Sequence, residues 1–162
     1  MAKIDKRRRR EGKTDYAKRI KTLKGESPRI VFRKSNKYLT AQYTLSKEAK
    51  DTIEFGVSSK MLLKYGWPEE AQGSLKSVTA SYLLGIMMGK KIAIKKILPV
   101  IDFGMMRTVH KSRAYAFVKG LIDSGIKVPH KEGIFPEENR IKGEHLQNKV
   151  PFEKIKSKII KE

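Results

Sequence analysis

RIVFRKSNKYLTAQYTL, residues 29 to 45, decides how the rest of the chain is read. Its first part, RIVFRK (29 to 34), is rich in β-branched and aromatic side chains. Its last part, YLTAQYTL (38 to 45), sets Leu39, Ala41, Tyr43 and Leu45 against Thr40, Gln42 and Thr44, the two-residue period of a strand with one buried face. A hairpin through Ser35-Asn36 joins the two. Downstream, TIEFGVSS (52 to 59) places Ile53, Phe55 and Val57 on one side, so a third strand completes an antiparallel meander, with Asp51 left in the turn before it.

Beyond the meander the period lengthens. Ser58 or Ser59 caps a short helix over Met61, Leu62, Leu63 and Tyr65, stopped by Gly66-Trp67-Pro68. A longer helix is predicted over roughly 74 to 95, with Val78, Tyr82, Leu83, Ile86 and Met87 on one face. ILPVIDFG (97 to 104) is an unbroken apolar run, as in a strand covered on both faces. SRAYAFVKGLIDSG (112 to 125) then lines Ala114, Phe117, Val118, Leu121 and Ile122 along a helix that Gly125 ends. Three strands, a helix, a strand and a helix make an α/β fold: a mixed sheet, the three-strand meander plus a later strand, with helices packed on it.

Charge divides the chain further. Of 162 residues, 37 are Lys or Arg and 17 Asp or Glu, a net charge of +20. Residues 1 to 34 hold 14 basic and 4 acidic residues, half of that excess. The expected organisation is a basic RNA-binding arm with a short helix (1–24), an α/β core (25–130) and a partly helical C-terminal extension (131–162) whose Phe152, Ile155 and Ile159 are amphipathically spaced. Residues 1 to 13 have almost no apolar content to offset the entropy of ordering them, and alone should be disordered, whereas Tyr16, Ile20 and Leu23 recur at helical spacing. So strong a positive balance repels itself unless a polyanion neutralises it, and the usual polyanion is nucleic acid.

Several chemistries are disfavoured. The absence of Cys removes disulfides, thiolate metal sites and Cys nucleophiles together. The longest uncharged run, Ser77 to Gly89, has 13 residues where about 20 are needed to span a bilayer, so no membrane partner and a cytoplasmic location are expected. GIMMGKK (85 to 91) lacks the spacing, the hydroxyl residue and the preceding strand of a phosphate loop. Gly85 and Gly89, four apart on a helix, instead predict close approach of another backbone. A nuclease needs several carboxylates converging on metal ions, and only Asp102 sits at a strand end, with Asp123 near a helix end; His110, His130 and His145 share no ligand spacing. No catalytic residue, cofactor or metal is expected.

Three basic stretches remain. DFGMMRTVHKSR (102 to 113) is either a loop whose Arg107, His110, Lys111 and Arg113 hold phosphate at a helix start, or an ordinary solvated loop. RKSNK (33 to 37) sets Arg33, Lys34 and Lys37 around a Ser35-Asn36 turn, which is either a contact site or a polar hairpin tip. RRRREGKTDYAKR (7 to 19) offers arginines for bidentate phosphate contacts, Gly12 for close approach, and Thr14 and Tyr16 to hydrogen-bond or stack on a splayed base; the bland reading is a solvated tail or localisation signal.

Together with PRIVFRKSNKYLTAQ (28 to 42), YLLG (82 to 85), DFGMMR (102 to 107), RAYAFVKGLIDSGIKVPH (113 to 130) and PEENRIKGEHL (136 to 146), that arm resembles the archaeal large-subunit ribosomal proteins of family eighteen, equivalent to the eukaryotic large-subunit protein five. The resemblance implies a ribonuclease H-like sheet of the translational-machinery-component type without nuclease carboxylates. It implies a structural protein that binds 5S rRNA and anchors it to 23S rRNA in the central protuberance, beside large-subunit proteins including family five. It also implies RNA contacts at Arg7, Arg8, Arg9, Arg10, Lys13, Thr14, Tyr16 and Arg19 in the arm, at Arg33, Lys34, Ser35, Asn36, Lys37 and Gln42 on the sheet edge and hairpin, and at Arg107, His110, Lys111 and Arg113 in the later loop. Two other readings stand beside it: another RNA-binding ribonucleoprotein or ribosome-assembly factor, and a divergent ribonuclease H-like nuclease.

Overall fold

The computed structural model describes residues 4–48, 50–95, 99–146 and 148–161. Strand β1 (Arg29–Lys34) pairs antiparallel with β2 (Leu39–Lys47), Ile30 opposite Tyr43 and Phe32 opposite Ala41, and the Ser35 N–H closes the connecting loop by donating to the Tyr38 carbonyl at 2.9 Å. Strand β3 (Lys50–Ser58) pairs with β2, and β4 (Val100–Asp102) runs parallel to the other edge of β1, giving the order β3-β2-β1-β4. This is the mixed α/β sheet that the hairpin and the later apolar run predict.

Two strands depart from expectation. The register slips between Tyr43 and Thr44, which stand opposite Phe55 and Ile53, so Glu54 is an extra residue in β3. A one-residue bulge reverses the side of everything beyond it. Phe55 therefore stacks on Tyr43 at 4.9 Å and Val57 is buried, while Ile53 is 54% exposed. The hairpin is also longer than predicted, so Asp51 lies within β3 opposite Ser46 and not in a turn. The 97–104 run yields a three-residue edge strand, not one covered on both faces. Val100 is 46% exposed because only β1 flanks β4, and the strand stops where Gly104, at φ +60°, turns to donate its N–H to the Asp102 carboxylate at 2.7 Å. Ile97 and Leu98 lie outside the described residues.

The α-helices are α1 (Arg7–Arg10), α2 (Tyr16–Lys24), α3 (Val78–Ala93), α4 (Arg113–Asp123), α5 (Glu138–Lys142) and α6 (Phe152–Lys161). A 3₁₀ segment, Ser59–Tyr65, follows β3; of its two candidate caps Ser58 accepts from the Lys60 N–H, while the buried Ser59 hydroxyl accepts from the Leu39 N–H at 3.0 Å. Ser77 caps α3 by accepting from the Ala80 N–H. The sequence predicts one apolar face for α3, but every residue from Val78 to Gly89 is buried. The sheet covers one side, α4 another, and α5 and α6 the rest. Ile30, Phe32, Leu39, Ala41, Tyr43 and Val57 form the sheet's core face, where Phe32 meets Phe117 of α4 at 4.7 Å between ring centres. Ile141, Val150, Phe152, Ile155 and Ile159 join the same buried cluster. No described helix is long and apolar enough to cross a membrane.

Helices α3 and α4 cross at glycines. A Cβ on Gly85 would stand 2.3 Å from the Phe117 carbonyl oxygen and 3.0 Å from Gly120 Cα. The close approach predicted at Gly85 is present, and Gly120 is its partner. Gly89 meets chiefly the Ser124 side chain.

Candidate nucleic-acid interface

The arm is built from its own polar contacts. Arg7–Arg10 form one helical turn where the composition predicts none. Four cations in succession repel, and side chains between residues 11 and 15 hold the turn against that repulsion. Arg7 pairs with Glu11 at 3.6 Å, Arg8 Nε donates to Thr14 Oγ1 at 3.0 Å, and Arg9 pairs with Asp15 at 3.5 Å. Lys13 pairs with Glu11 at 2.8 Å, and Gly12 supplies the left-handed residue at φ +63° that turns the chain into α2. Asp15 was not singled out in the sequence, although an Asp just before an apolar-periodic segment is a helix-start signal. Its carboxylate accepts from the Ala17 and Lys18 N–H groups, and the Lys18 amide, followed by Arg9, holds its pKa below the ordinary value. Arg10 has no side-chain partner among the described residues, and Lys6 lies over the Tyr16 ring at 4.8 Å.

Ion pairs tie α2 to the sheet face opposite the core. Arg19 reaches Asp51 at 3.0 Å, and Asp51 also accepts from Arg29 and Ser46, both at 2.7 Å. Burial pushes the Asp51 carboxyl up, but Ser46 and the two arginines outweigh it, leaving the pKa lowered. Asp102 is occupied in the same way. Burial raises its pKa, and the Gly104 N–H, Arg33 at 3.1 Å and Lys18 at 3.9 Å bring it below the ordinary value. A carboxylate so surrounded is a charged anchor for three neighbours. Among the described residues, no group of three His, Asp or Glu side chains could hold a metal ion.

The arm and the end of β1 meet across a cleft of about 490 Å³. Its lining takes Arg8, Gly12 and Lys13 from the arm, Phe32, Arg33 and Lys34 from β1, and Phe103, Met105 and Met106 from the segment after β4. Phe103, Met105 and Met106 escaped the sequence reading, since nothing local marks an apolar residue that ends beside a distant cation. The hairpin is linked differently. Lys76 Nζ donates to the Asn36 carbonyl at 3.0 Å, and Arg113 donates to the Lys76 carbonyl at 3.1 Å, so the hairpin tip and the start of α4 form one continuous surface.

Within these patches the expected residues differ in what they can offer. Lys34, Asn36, Lys37 and Arg107 present exposed side chains. Ser35 is committed to the turn, its hydroxyl donating to the Tyr38 carbonyl and accepting from the Tyr38 N–H, both at 2.9 Å. Gln42 lies mid-strand on the sheet face opposite the core, against Gly56. Lys111 pairs with Glu137 at 2.9 Å and His110 packs edge-on against Tyr115, so this part of the loop is turned toward neighbouring protein groups.

A surface on which exposed cations outnumber the carboxylates that pair with them agrees with the company the sequence keeps. Residues 2–99 match the family described as ribosomal large subunit proteins 60S L5 and 50S L18. The chain belongs to this family. Among relatives, a large ribosomal subunit protein uL18 of Korarchaeum cryptofilum is 42% identical over 89% of this chain and 72% of its own length. That of Methanococcoides burtonii is 38% identical over 99% of this chain and 95% of its own, and that of Caldivirga maquilingensis 40% identical over 89% and 69%. With this membership the chain is a structural ribosomal protein and not an enzyme, and the nuclease reading is set aside.

Proposed function

We propose that the chain binds 5S rRNA and anchors it to 23S rRNA in the central protuberance of the ribosome's large subunit, beside neighbouring large-subunit proteins including that of family five. The observation that carries the reading is the convergence of Arg8, Lys13, Arg33 and Lys34, from two distant parts of the chain, on one cleft whose lining includes no Asp or Glu. Lys13 and Arg33 already hold Glu11 and Asp102, whereas Arg8 and Lys34 pair with no carboxylate among the described residues, so an anion between them would relieve the charge that folding leaves uncompensated there. Arg7–Arg10, Tyr16, Arg19 and the hairpin residues Asn36 and Lys37 extend this surface. Arg107 and Arg113 continue it past Lys76, with Gln42 on the sheet. The phosphate backbone supplies affinity, and the fixed hairpin supplies direction.

Titration of 5S rRNA and a length-matched control RNA across a salt series tests this. Replacing Arg7, Arg8, Arg9 and Arg10 together by Ala should lower the salt-dependence slope by about 3 to 4 units, taking roughly 0.7 to 0.9 per phosphate contact. Preference for 5S rRNA should survive. A parent protein that binds both RNAs equally, or a quadruple variant with the parent slope, refutes the reading.

A further inference from the structure

The cleft between arm and sheet has a chemistry that phosphate alone does not use. Four cations, Arg8, Lys13, Arg33 and Lys34, are in its lining. Arg33 is fixed there, donating to the carbonyls of Phe32 at 2.9 Å and Asp102 at 3.0 Å and to the Asp102 carboxylate at 3.1 Å. It rests against Gly104, where a Cβ would stand 2.9 Å from the guanidinium carbon, so the glycine makes room for the guanidinium. Arg8 is held by its Nε to Thr14, while its terminal nitrogens donate to nothing among the described residues, and Lys34 has no side-chain partner there. The lining from the segment after β4 is apolar: Phe103, set edge-on to Phe32 at 5.9 Å, with Met106 partly buried and Met105 43% exposed.

We infer that this cleft takes one unpaired RNA nucleotide turned out of its stack, its base against Phe103, Met105 and Met106 and its phosphates between Arg8, Lys13, Arg33 and Lys34. The inference rests on the RNA-binding reading above and adds the state of the nucleotide. A paired helix offers phosphates and base edges but no base face, so it would engage the cations and leave the aromatic and thioether wall in water. A splayed nucleotide covers both, and base faces stack on such walls without regard to sequence. The cleft is open to solvent, and its volume of about 490 Å³ leaves room for one small ligand. Thioethers add a polarizable, adaptable surface.

The test uses the full chain and two single-stranded RNA hexamers of equal charge: hexaadenylate, and the same ribose-phosphate chain without bases, both read by fluorescence anisotropy over a salt series. The base-bearing hexamer should bind at least about 5-fold more tightly, the low end of one stacked base. Met105→Ala, at a position 43% exposed where the thioether also meets the Arg9 guanidinium at 3.9 Å, and Phe103→Leu, which keeps an apolar side chain and loses the ring, should each bring that ratio toward one, with circular dichroism confirming that each variant is folded. Neither should change affinity for the baseless chain or the salt slope. Equal binding of both hexamers by the parent means that the cleft takes phosphates only, and overturns the inference while leaving RNA binding intact. A parent ratio kept by both variants places the bases elsewhere, and also overturns it. Failure to bind either hexamer or 5S rRNA removes the RNA-binding reading itself.

Discussion

Replacing Gly85 by Ala probes the contact on which the two central helices depend. The new Cβ would stand 2.3 Å from the Phe117 carbonyl oxygen, 3.0 Å from Gly120 Cα and 3.1 Å from the Leu121 nitrogen. Ordinary contacts begin near 3.5 Å, so α3 and α4 must separate by about 1 Å, and all three obstacles are backbone atoms that no rotamer change can move. Overpacking of this kind costs about 1–3 kcal/mol or more, and a clash of this depth belongs at the upper end. Ala returns about 1 kcal/mol of helix propensity. The net expectation is a loss of about 2 kcal/mol, which for a chain of this length lowers Tm by roughly 4–8 °C. Thermal and urea unfolding followed by circular dichroism would measure it, with Gly73→Ala as control, because a Cβ there meets nothing within 4 Å. An unchanged or raised Tm for Gly85→Ala would show slack in the crossing and refute the reasoning.

Asp51→Asn leaves the Arg29 guanidinium, whose side chain is 4% exposed, with neutral acceptors only, and removes the charge that holds Arg19; a loss of about 1–3 kcal/mol in urea unfolding is expected, with faster proteolysis within residues 16–28. Unchanged stability and cleavage would contradict the role of Asp51 in docking α2. Acid should expose the same device. Asp51 and Asp102 both have folded-state pKa values below their ordinary ones, so their contribution is complete above the unfolded value, near 3.9, and is lost as pH falls through the lower folded values. Urea midpoints between pH 6 and 2.5 should therefore drop less steeply below about pH 4 in Asp102→Asn than in the parent, and parallel curves would contradict this.

The hairpin at residues 29–45 was legible in the sequence because a strand with one wet face repeats every two residues wherever it pairs. Helix α4 and the buried side of α6 were legible from their own period for the same reason, and the excess of Lys and Arg in the first 34 residues located the arm. Helix α2 forms where its spacing predicts, but none of its residues is buried and Ile20 is 53% exposed, because ion pairs and not an apolar face hold it to the sheet. Local periodicity reports burial about a segment's own axis and nothing about the neighbours that cause it. The apolar run 97–104 could not reveal that it would lie at a sheet edge, parallel to β1, nor could TIEFGVSS reveal the extra Glu54 that sends Ile53 to solvent. Gly85 announced a close approach, but Gly120 became its partner only when α4 packed across α3. The same holds for the interface. Arg8, Arg33 and Phe103 each carry their chemistry in one letter, whereas the cleft exists only because the arm crosses the sheet and Asp102 fixes Arg33 beside Gly104. Contacts between residues so far apart in the chain are set by the closure of the whole core, and no window of sequence contains them.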